Sequence, residues 1–218
     1  MADAEPEDVL QSALEVTSSV FWIGGAAVAI AAPPVGVALG ASAGALHLLG
    51  LVRQRFARRS AQVALGAEDR LDQEAPEAAE RIQADEGLAA ITFKTIEASL
   101  HSQHDEQARV LGRVLGDALR SDQPITLDQA SLLVDALRSL DLPHLITLRA
   151  LANEAQPNAE PSWLPTTLKA LATGDEASAY GIAAALERSG AIRLDPPTFG
   201  GYTVTPFGER IMGYLDGI

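Results

Sequence analysis

The chain of 218 residues has no cysteine, which rules out disulfides, thiolate metal sites and thiol nucleophiles together. Lysine is nearly as scarce, with only Lys94 and Lys169 among the 16 basic residues. The formal charge of -13 works against a general affinity for nucleic acid, because phosphate binding draws its free energy from Lys and Arg releasing counterions. A nucleic-acid role needs a local basic face. Alanine, by contrast, is abundant, a bias that reads as a GC-rich bacterial genome.

Charge itself is missing from one long stretch. From Val16 to Val52 there is no Asp, Glu, Lys or Arg, and the run ends at "RQRFARR", Arg53 to Arg59. Pro33-Pro34 divides it into Val16–Ala32 and Val35–Val52, which as helices are about 25 and 27 Å long, just short of the ~30 Å hydrocarbon layer. Proline removes backbone donors and keeps the preceding residue out of a helix. The expectation is therefore a hydrophobic helical hairpin over residues 1–52, turning at "AAPPVG" and inserted in, or docked onto, the bacterial inner membrane. Arg53, Arg55, Arg58 and Arg59 then meet anionic lipid headgroups on the cytoplasmic side, and the bulk of the chain is cytoplasmic. The first residues, "MADAEPED", are acidic where a secretory signal requires basic ones.

Within that run, "GVALGASAGALHLLG" contains a literal G-x-S-x-G around Ser42. A nucleophile elbow needs a strand before the serine and a helix after it, and the flanking residues promise no sheet. Gly36, Gly40 and Gly44 are instead spaced by four, which places them on one helical face as a glycine zipper. The helix that meets them is either the first half of the hairpin, where Gly24 and Gly25 lie, or a copy from another subunit, so self-association is expected. His47 reads as an interfacial polar residue, with a proton or ion group as the alternative.

From residue 53 to 155 the pattern becomes that of amphipathic helices. Phe93, Ile96 and Leu100 share one apolar stripe, and Val110, Leu111, Val114, Leu115 and Leu119 form another. Thr126 or Asp128 is placed to cap a helix, and Pro143 follows Asp141 near a first helical turn. A helical bundle of four or five helices is expected. Glu97, His101 and His104 fall at i, i+4 and i+7 and are the one candidate metal set. A carboxylate-bridged site needs repeated Glu-x-x-His pairs on facing helices, and Asp141-x-x-His144 is the only distant analogue. A solvated helix end, with His101 favoured by the helix dipole, is the preferred reading. No phosphate loop or dinucleotide fingerprint occurs, so neither an enzyme nor a cofactor is expected.

The breaker-rich "QPNAEPSWLP", residues 156–165, marks a linker. Beyond it, residues 166–218 offer a short helix, a second helix ending at Gly190, strands "AIRL" and "YTVT" around "DPPTFGG", and a last helix opened by Pro206. The stretch "LERSGAIRLDPPTFGGYTVTPFGERIMGYL" resembles a winged-helix module. That resemblance implies a helix laid in the DNA major groove, but the local residues argue otherwise. Between Glu160 and Ile218 there are seven acids against four bases, and "ASAYGIAAALERS" offers almost nothing to base edges. Protein contact is expected before DNA.

The chain is thus read as mainly α: a hydrophobic hairpin, a helical bundle and a C-terminal α+β winged helix. Its layout resembles small uncharacterised bacterial and phage-associated proteins, some linked to abortive infection. The leading expectation is a non-enzymatic membrane-associated protein with a protein-interaction module, in the manner of a defence or toxin-like effector. The alternative is a soluble oligomeric regulator or structural protein whose apolar N-terminal segment is buried between subunits, with the winged helix binding DNA or protein.

Overall fold

The computed structural model describes residues 43–72, 75–120, 122, 124–154, 176–194 and 202–215. Over these the chain is mainly helical, in the order α1 (Ala43–Glu68), α2 (Ala75–Ala84), α3 (Glu86–His101), α4 (Asp105–Leu119), α5 (Leu127–Ser139), α6 (Leu142–Glu154), α7 (Glu176–Arg188), β1 (Ile192–Leu194), β2 (Tyr202–Val204) and α8 (Pro206–Met212). They divide into two compact units. Unit 1 takes Met1–His101 with Ala108–Ser131, and unit 2 takes Ser102–Gln107 with Leu132–Ile218. The divisions fall inside α4 and inside α5.

In unit 1, α1 and α2 both pack on α3. The start of α3 is fixed by Asp85, whose carboxylate accepts from the Leu88 N–H at 3.0 Å, meeting one of the donors a helix N-terminus leaves open. The buried stripe of α3 contains hydroxyls as well as hydrocarbon: Leu88, Ile91, Thr92, Thr95, Ile96, Ala98 and Ser99. Thr92 and Thr95 donate to the carbonyls of Leu88 and Ile91, each at 2.7 Å, and Ser99 to that of Ile96 at 2.6 Å. A hydroxyl satisfied on its own helix is buried without the penalty of an unmade hydrogen bond. This rotates the stripe, so Phe93, expected in the core, is 48% exposed. The α4 stripe is as expected, with Val110, Leu111, Val114, Leu115 and Leu119 all fully buried. Thr126 caps α5 through a capping box, its hydroxyl accepting from Gln129 N–H while its own N–H donates to the Gln129 amide oxygen.

Unit 2 is organised around α6, which packs on α7, β2 and α8. The sequence pattern groups α6 with the preceding helices, whereas the structure gives it to the C-terminal elements. β1 and β2 pair antiparallel, with Ile192 opposite Val204, Arg193 opposite Thr203 and Leu194 opposite Tyr202. Gly190 ends α7 with φ +77, and the N–H groups of Gly190 and Ala191 donate to the carbonyls of Glu187 and Leu186, the Schellman arrangement that favours glycine at this position. Thr205 caps α8, accepting from Gly208 N–H at 3.0 Å, with Pro206 in the first helical turn.

The expected membrane-spanning hairpin and inner-membrane location are corrected. Among the described residues no helix is long and apolar enough to cross a membrane. The physical reason lies in α1, which does not stop at Val52 but continues to Glu68, carrying the arginine cluster in the middle of one helix. The first half of the hairpin and its proline turn lie outside the described residues, as do the linker at 156–165, the short helix expected near 166–172 and the "DPPTFGG" loop.

Candidate functional site

Four features of the sequence were candidates for function, and the structure treats them differently. Of the glycine stripe, Gly24, Gly25, Gly36 and Gly40 lie outside the described residues, as does Ser42, while Gly44 and His47 belong to the first turns of α1. A close glycine crossing is nevertheless present, further along the chain. A Cβ added to Gly66 on α1 would overlap the Arg109 carbonyl, and one added to Gly112 on α4 would overlap the Val63 carbonyl. At Gly116 an added Cβ would sit 2.5 Å from the Ala67 carbonyl oxygen. The two helices therefore meet backbone on backbone. The readable signal was Gly112-x-x-x-Gly116, overshadowed by the longer glycine series upstream.

The same crossing is edged by an ion cluster. Asp69 accepts from Arg109 at 2.8 and 2.9 Å and from Arg113 at 3.0 Å. The hydrogen bonds from Arg109 hold the Asp69 carboxyl below its ordinary range, partial burial opposes them, and Arg113 adds to the lowering. The cluster is solvent-facing, so its worth is modest.

The arginines of the basic cluster part company. Arg55 and Arg58 are exposed, Arg59 is 7% exposed, and Arg53 lies in α1 just before them. Arg55 donates to the Leu100 carbonyl at 3.3 Å, so it serves the C-terminal end of α3, where carbonyls lack helical partners. The metal candidates do not share a helix face. α3 ends at His101 and α4 begins at Asp105, which leaves His104 between helices. His101 and His104 are exposed and Glu97 is half-buried. Among the described residues no group of three His, Asp or Glu side chains is placed to hold a metal ion. His144 has a local task instead: its Nδ1 accepts from the Asp141 N–H at 3.0 Å at the start of α6.

Two polar anchors were not legible in advance. Gln107 is 1% exposed, and its amide donates to the carbonyls of Leu137 at 2.8 Å and Leu140 at 2.5 Å. It closes the C-terminal end of α5 within unit 2, while its own Oε1 has no partner among the described residues. In unit 1, Arg81 donates to the Leu119 carbonyl at the end of α4.

The fourth feature is the exposed side of α7. Ser178, Tyr180, Gly181, Ala184, Glu187 and Arg188 are exposed there, and Tyr180 keeps 55% of its surface in solvent. A Cβ on Gly181 would meet nothing. Arg188 turns back to the Ala184 carbonyl at 3.2 Å. On β1, Leu194 is 54% exposed, and its cross-strand partner Tyr202 is half-buried. Burial holds the Tyr202 phenol proton above its ordinary range, with the Glu187 carboxylate and Tyr180 adding to the effect. No family model matches the chain, and no curated protein or solved structure is significantly similar to it.

Proposed function

We propose that the chain is a non-enzymatic oligomeric regulator or structural protein, in which the uncharged run Val16–Val52 is buried between subunits and the C-terminal elements form a winged-helix-like binding module. The observation that carries this reading is the continuity of α1. Its first turns hold the end of the uncharged run and its later turns, at Val63, Ala64 and Ala67, are fully buried in unit 1. An uncharged, apolar run that leads into a packed helix needs a cover, and a copy of the same segment supplies one with matching small residues. The helices of unit 1 act in this view as a bundle that carries the assembly segment.

The winged-helix reading is supported by the order helix, helix, strand, strand, helix from α6 to α8 and by the packing of α6 on the rest. Protein is favoured over DNA as its partner, because the exposed side of α7 presents Tyr180, Gly181, Ala184 and Glu187 with one base, Arg188, beside them, where a DNA reader presents several of Arg, Lys, Asn or Gln. Light scattering on the full chain in detergent-free buffer tests the assembly. The expected result is one species at a whole multiple, above one, of 22.9 kDa. A species at 22.9 kDa over the accessible concentration range overturns it.

A further inference from the structure

We draw no further inference here: the strongest candidate, the exposed apolar side of α3 at Ala90 and Phe93, carries nothing because nothing in the structure shows what covers it.

Discussion

The two units hold their helices together by different means. In unit 1 the decisive contact is backbone against backbone, where Gly66 of α1 meets Arg109 and Gly112 of α4 and where Gly116 lies on Ala67. In unit 2 the decisive contacts are mostly side chains that end on main-chain groups: Gln107 on the carbonyls of Leu137 in α5 and of Leu140 just beyond it, and Thr205 on both the Gly190 carbonyl and the Gly208 N–H. A backbone crossing tolerates no added atom, so it fails steeply when altered. A set of caps fails in steps of about 1 kcal/mol each. The unit that carries the proposed assembly segment is thus built stiffly, and the unit that carries the C-terminal elements is built from separable local contacts.

The contrast is broken most directly at Gly112. Gly112→Leu should destabilise by more than ~3 kcal/mol in urea unfolding, because overpacking against a main-chain carbonyl has no side chain to move aside. Gly112→Ala should still cost about 1–3 kcal/mol, despite the ~1 kcal/mol by which alanine outranks glycine inside a helix. Gly181→Ala is the control, since its Cβ meets open space, and it should stabilise by about 0.5–1 kcal/mol. If the two alanine variants change stability in the same direction, the crossing is not as tight as described.

In unit 2, Gln107→Leu should destabilise by about 1–3 kcal/mol through the loss of donors to two buried carbonyls. Gln107→Glu should be worse near neutral pH, because a carboxylate then faces those carbonyls, and the difference should shrink as acid protonates it. A smaller effect is expected for Thr205→Ala, about 1 kcal/mol, visible as a lower unfolding midpoint and as faster amide exchange at Gly208.

The smallest effect belongs to the ion cluster of unit 1. Asp69→Asn should cost ~0.2–1 kcal/mol near neutral pH. The Asp69 carboxyl is held low in the folded chain, so its contribution is complete above the unfolded carboxylate value of about 3.9 and disappears as pH falls through the lower folded value. The parent chain should therefore lose stability on acidification below about pH 4 more steeply than the Asn variant. Identical slopes would mean that the Arg109 contact has no weight in solution.

Much of the local structure was legible because it follows from short-range chemistry. Gly190 at the end of α7, Pro206 at the start of α8, Thr126 as a cap and the two strands need only neighbouring residues. The α4 stripe was legible from its 3.6-residue period. What escaped depends on contacts far apart in sequence. Gln107 reads as an ordinary polar residue until Leu137 and Leu140 are brought to it, and the Thr92, Thr95 and Ser99 stripe reads as solvent-facing until each hydroxyl is seen bonded to its own helix. The grouping of α6 with the C-terminal elements has no local signature. Among the candidate site residues, the arginines of the cluster looked like one basic patch because spacing alone does not say that Arg59 turns inward. The helix end at His101 was itself legible, and it is why the i, i+4, i+7 spacing of Glu97, His101 and His104 does not become one helical face.

The proposed assembly rests on where the uncharged run goes, and the absence of native cysteine makes that directly measurable. Val28→Cys, labelled with pyrene in detergent-free buffer, should give excimer emission that fades when labelled chain is mixed with excess unlabelled chain, while Glu80→Cys labelled in the same way should give none. Monomer emission from both positions would show that no second copy covers the run, and would contradict the oligomeric reading.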